Sequence, residues 1–243
     1  MDDKLYTNLI KELEAQGYTG NLDKCGGIKV DENGQLVKIP YPPDEYNEIL
    51  IKYSGVFERE FSNIHILNCL AKPKKYELIP HILDQYVNTL QDSYRWHLGD
   101  ALYTIGFKKE YCSDYIDIVK NPVYGRARQM VVCLLGKSKR SEALPVLLEL
   151  MHKWDYDVFP HVMYALSFFK DEAVFEEVLK FTNFLISDEG KKKYYNELRN
   201  YNSELELSKS DIKGCYRLLI KETNKTLKRH SCEITKEQIK FNF

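Results

Sequence analysis

The feature that most constrains this chain is an apolar pattern that returns about every thirty residues, the interval of a two-helix repeat. Ile66-Leu67-Asn68-Cys69-Leu70-Ala71, Ala101-Leu102-Tyr103-Thr104-Ile105-Gly106, Val131-Val132-Cys133-Leu134-Leu135-Gly136 and Ala165-Leu166-Ser167-Phe168-Phe169-Lys170 start 35, 30 and 34 residues apart. Each lies near a stripe with helical spacing. Leu98, Ala101, Leu102 and Ile105 fall at i, i+3, i+4, i+7, and so do Phe159, Val162, Met163 and Leu166. A second set alternates with the first: Ile79, Ile82, Leu83 and Tyr86, then Leu144, Leu147, Leu148 and Met151. Each set makes one apolar stripe on a helix. The turns between, at Lys72-Pro73, Gly106, Gly136 and Lys170-Asp171, are short, so consecutive helices must run antiparallel.

A pair of helices with one apolar stripe each cannot bury both alone, and stacking on neighbouring pairs solves this. The expectation is an all-α, right-handed solenoid of about four pairs over residues 57–185. Residues 1–56 read as amino-terminal helices with an inserted β-hairpin at 26–39, where Asn33-Gly34 lies between short alternating segments behind Gly26-Gly27. Residues 57–188 carry the repeats. Residues 189–243 read as carboxy-terminal capping helices and a tail: Lys191-Lys192-Lys193 opens one helix, and Leu205-Glu206-Leu207-Ser208 leads to another with Ile212, Cys215, Tyr216 and Leu219 on its apolar face. All three segments are expected to form one continuous domain.

Charge and cysteine use narrow the partners. The net charge of −1 divides unevenly, with 13 Lys/Arg against 8 Asp/Glu from residue 189 onward and an acidic surplus before it. An acidic body is a poor match for a phosphate backbone, so nucleic acid is not the expected partner. The six cysteines contain no CxxC pair and read as reduced thiols of a cytoplasmic protein. The first residues read as a charged amphipathic helix and not a signal peptide, and no apolar run reaches the roughly 18 residues that span a bilayer.

Arg128-Gln129-Met130-Val131-Val132-Cys133-Leu134-Leu135-Gly136 followed by Ser141-Glu142-Ala143-Leu144-Pro145-Val146-Leu147-Leu148-Glu149-Leu150 resembles a HEAT-like repeat. That family places an arginine near the start of the first helix, ends that helix in an A-L-G-type sequence, and carries A-x-P-x-L-x-x-L in the second. Asp92 and Arg95 resemble the polar pair such repeats use near the turn, whereas Phe159-Pro160 stand where the arginine is expected in a later unit. The resemblance covers residues 57–185 and is similar to the short HEAT-like units of small bacterial proteins. It implies a protein-binding scaffold, and small proteins of this kind serve as regulators or as immunity proteins that block a toxin.

Two sets of residues are candidates for the contact surface. Trp96, Asp100 and Tyr103 form a second stripe on the helix beginning near Asp92, opposite its core stripe, around the bare Gly99. The second helices carry His81 and Asp84, Asp114 and Asp117, Glu149, and Glu176 and Glu177, which are expected to line one concave wall. Their acidic bias points to a partner protein with a basic surface.

Catalytic and metal chemistry find less support. His65 and Cys69 share a helix face four residues apart but lack the further ligands structural zinc needs. No local signature supports a cysteine or serine nucleophile, and no glycine-rich loop precedes a helix. No catalytic residue, metal ligand or cofactor is assigned. The reading is a non-enzymatic scaffold or inhibitor. The alternative is an enzyme on the same scaffold, similar to the HEAT-like alkylpurine DNA glycosylases, with Arg95, Trp96 and Asp100 as matching residue types, or to HEAT-like pigment lyases.

Overall fold

In a computed structural model that describes residues 2–25, 28–201 and 208–240, the chain is about 72% helical, with 12 α-helices and one two-stranded antiparallel sheet among the described residues. The chain divides into two compact units, Met1–Lys108 and Lys109–Phe243.

The amino-terminal unit opens with α1 (Asp2–Ala15), closed by Gly17. Next come β1 (Ile28–Val30) and β2 (Leu36–Lys38), paired with Val30 opposite Leu36. The Asp31 carboxylate accepts from the backbone N–H groups of Asn33 and Gln35 and so holds the expected hairpin's turn closed. Gly26-Gly27 lie outside the described residues. Then follow α2 (Asn47–Tyr53), α3 (Glu60–Leu70), α4 (Ile79–Asn88) and α5 (Asp92–Ile105). Helix α5 packs on both α3 and α4 and presents Tyr94, Leu98, Leu102 and Ile105 as its buried side.

The carboxy-terminal unit contains α6 (Cys112–Lys120), α7 (Gln129–Ser138), α8 (Leu144–Lys153), α9 (Phe159–Leu166), α10 (Glu172–Ile186), α11 (Asp188–Tyr201) and α12 (Lys209–Leu227). Its core centres on α9, which packs against α7, α8 and α12. The Leu205-Glu206-Leu207 approach to α12 lies outside the described residues. Helix α12 itself starts with a capping box between Ser208 and Asp211 and buries Ile212, Tyr216 and Leu219. Cys215, expected on that face, is exposed.

Two local rules explain the helix starts. Helices α4 and α8 are each led in by a 3-10 turn, Tyr76–Leu78 and Ser141–Ala143, and each carries proline in its first turn, Pro80 and Pro145. Proline costs nothing there, because the N–H it lacks has no partner inside the helix. One expectation is corrected. Gly136 is not in a turn: α7 runs on to Ser138, and Gly136 is buried inside it against Ala165 of α9.

Candidate interaction surfaces

In the amino-terminal unit, α4 divides into two sides. Ile79, Ile82 and Tyr86 are buried, while Pro80, Asp84, Val87 and Asn88 are exposed, followed by Leu90 at 95% exposure. The Asp84 carboxylate accepts from Asn88 Nδ2 at 2.9 Å, so it is held on the outer side, one turn from Val87. Leu90 is carried beside the segment that joins α2 to α3. Its neighbour Gln91 donates from Nε2 to the carbonyls of Phe57 (3.1 Å) and Glu58 (3.0 Å) and accepts from Asn63. Val56 and Phe61, exposed at 49% and 79%, flank those residues in the chain. The result is an apolar seam of Val56, Phe61, Val87 and Leu90 with Asp84 at its edge. Patches of this kind mark contact sites more often than isolated exposed side chains do.

His81 occupies a more enclosed place than an outward polar side implies. Its Nε2 lies 2.6 Å from the Ser54 hydroxyl. Gln85 Nε2 donates to the Ser54 carbonyl at 2.7 Å and to its hydroxyl at 3.0 Å, and the Tyr94 hydroxyl donates to Gln85 Oε1 at 2.6 Å. Gly55 makes the arrangement possible. It turns the chain with a φ of +78°, and a Cβ there would stand 2.6 Å from the Gln85 amide. Burial pushes the His81 pKa down, and the Asp84 charge opposes that shift. A serine beside a histidine invites a nucleophilic reading, but Ser54 is only 3% exposed, so its hydroxyl ties the α2 end to α4.

On α5, Trp96, Asp100 and Tyr103 are half-buried on the side away from Leu98, Leu102 and Ile105. Trp96 meets His97 edge to face at 5.1 Å. Burial raises the Asp100 pKa, and His97 partly offsets it. Arg95 is buried. Its guanidinium donates from Nε to Tyr86 O at 3.1 Å, from Nη1 to Asp92 Oδ1 at 2.7 Å, and from Nη2 to Thr89 O.

In the carboxy-terminal unit the acidic candidates separate by partner. Glu149 is bridged by Lys153 one turn on, and its carboxyl is held below the usual range by that bond. Glu177 pairs with Lys180 at 2.9 Å and meets His152 at 3.5 Å. Asp114, Asp117 and Glu176 are exposed and in no ion pair among the described residues. Asp84 belongs to the other unit.

Sequence reasoning missed a further cluster. Trp154, in a left-handed conformation just past α8, is ringed by Phe159, Phe181, Phe184, Tyr156 and Tyr194, with the Lys193 ammonium 4.7 Å from its ring. Trp154 is 7% exposed, which makes this a packing centre of the unit. The density of aromatics from 154 to 201 was the available signal.

Among the described residues no group of three or more His, Cys, Asp or Glu side chains is placed to hold a metal ion, and no helix is long and apolar enough to cross a membrane. Comparisons with protein-family models, with curated proteins and with solved structures return no match.

Proposed function

We propose that this chain is a non-enzymatic helical-repeat scaffold, HEAT-like in its stacking of helix pairs, that binds a protein with a basic and apolar surface. The observation that carries the reading is the outer side of α4: Asp84, Val87 and Leu90 lie exposed beside Val56 and Phe61, a carboxylate at the rim of an apolar seam. Binding energy concentrates in a few apolar anchors, and rim charges set encounter rate and orientation. The packing of α3 on α5 in one unit and of α7 on α9 in the other supports the repeat, since first helices of successive pairs meet in a solenoid. A regulator or an immunity-type inhibitor, held in the cytoplasm, fits such a surface.

Arg95 favours this reading over a glycosylase-like enzyme. Its donors are taken up by Tyr86, Thr89 and Asp92, so it is not presented to a nucleic-acid phosphate. The test is affinity capture from the native host by the intact chain and by Leu90→Asp and Asp84→Lys variants. The expected result is one host protein with a basic surface, retained by the intact chain and weakened by both substitutions. Tighter binding to duplex DNA than to any protein would defeat the proposal.

A further inference from the structure

Loop and helix in the amino-terminal unit bring two thiols together from positions far apart in the chain. Cys25 follows the 3-10 turn Leu22–Lys24, and Cys69 sits in the last turn of α3. The two side chains are hydrogen-bonding neighbours. Both are free thiols, Cys69 buried and Cys25 half-exposed. The loop is anchored on each side of Cys25. Before the turn, Tyr18 packs edge to face on Tyr46 at 5.1 Å. At the turn, His65, one helical turn before Cys69, bonds through Nε2 to the Leu22 carbonyl. Tyr18 also brings its hydroxyl to 3.3 Å from Cys25 Sγ. These anchors hold the thiols as a pair with unequal access: one reached from solvent, one screened behind it.

We propose that Cys25 and Cys69 are a peroxide-sensing pair that closes into a reversible disulfide. The Cys25 thiolate attacks one oxygen of hydrogen peroxide, the O–O bond breaks, and Cys25 becomes a sulfenic acid as hydroxide leaves and takes up a proton to form water. The Cys69 sulfur then attacks the Cys25 sulfur, the S–O bond breaks, and the Cys69 proton leaves with that oxygen as a second water. In sum two thiols and one peroxide give one disulfide and two waters. Burial pushes the Cys69 thiol up to about 12, which suits it to the resolving role, with the Lys72 charge nearby favouring its thiolate. The bond ties the Tyr18–Cys25 loop to α3 covalently, and a thiol reductant releases it. The inference is independent of what the chain binds.

The experiment treats the full chain, carrying Cys215→Ser to remove the exposed thiol, with a small excess of hydrogen peroxide. Intact mass and a non-reducing peptide map are then read. The expected result is loss of two hydrogens, one cross-linked peptide joining Cys25 to Cys69, and full reversal by dithiothreitol. In a Cys25→Ser variant, Cys69 stays reduced. The proposal is overturned if Cys25 accumulates as sulfinic acid without a cross-link, if it pairs with another cysteine, or if Cys69 forms a disulfide without Cys25.

Discussion

Arg95 and Arg128 each donate to the backbone carbonyl nine residues earlier, Arg95 Nε to Tyr86 O at 3.1 Å and Arg128 Nη1 to Val119 O at 3.2 Å. Both acceptors lie in the last turn of a second helix, α4 or α6, where carbonyls have no partner within the helix. Each arginine sits at the start of the next first helix and ties it back to the pair before. Only a planar fork of five donors satisfies several such acceptors at once. Arg128 adds Gly125 O and a bidentate contact with Asp155, at 2.7 and 3.0 Å.

Arg128 is 1% exposed, so removing it strands buried acceptors and a carboxylate. Arg128→Met is expected to cost about 3–5 kcal/mol of unfolding free energy, the range for breaking one side of a buried pair. Arg128→Lys recovers little, because a point charge cannot span Val119, Gly125 and Asp155. Urea unfolding followed by circular dichroism checks both, and a loss below about 1 kcal/mol for Arg128→Met defeats the assignment.

Gly136 predicts an inverted helix propensity. Alanine normally stabilises a helix interior by up to about 1 kcal/mol relative to glycine. Here a Cβ would stand 2.4 Å from Ala165 Cα and 2.8 Å from Ala165 O, backbone that cannot swing aside. Gly136→Ala is therefore expected to destabilise by about 1–3 kcal/mol by forcing α7 and α9 apart. A midpoint equal to or above the unmodified chain's contradicts the close approach.

These two residues mark what was legible in the sequence. The stripes at Leu98, Leu102 and Ile105 and at Phe159, Val162 and Leu166 reveal their helices, because one buried side imposes a period that local sequence records. Arg128 was visible as a repeat feature. The role of Gly136 was not, because glycine closing an apolar run looks like a helix end, and its reason is a contact with Ala165 on another helix. His81 likewise looked solvated, since its partner Ser54 is twenty-seven residues away. Of the candidate surface, Asp84 was legible, but Val56, Phe61 and Leu90 were not: off-stripe apolar residues carry no local sign of being uncovered.

His161 predicts acid sensitivity. Burial pushes its pKa down, Nδ1 has no hydrogen-bond partner, and the facing Glu222, itself paired with Lys225 on α12, offsets the shift only in part. The unfolded chain takes up the proton near the ordinary value of 6.5, while the folded chain resists it. Stability is thus fully present above that value and falls as pH drops through it toward the lower folded pKa. His81, shifted the same way, adds to the effect. The urea midpoint is expected to be lower at about pH 5.5 than at about pH 7.5, and His161→Gln should flatten the difference. An unchanged slope in that variant assigns the dependence elsewhere.

The last prediction separates carboxylates that steer a partner from those already neutralised. Asp114 and Asp117 lie one turn apart on α6, exposed and in no ion pair among the described residues, whereas Glu149 is bridged to Lys153. A cation approaching from solvent feels the first two as net charge and the third as a dipole, whose field falls off faster with distance. Replacing Asp114 and Asp117 with lysine should slow association with a basic protein partner by about tenfold at low salt and remove much of the salt dependence. Glu149→Gln should change the rate far less, because it frees Lys153 while removing one carboxylate. Neither change touches a core residue, so both proteins should unfold at the same urea concentration as the unmodified chain. Stopped-flow association with the captured partner, at two ionic strengths, reads the outcome. Equal effects from the Asp114/Asp117 pair and from Glu149 would show that long-range charge on this unit does not guide the encounter.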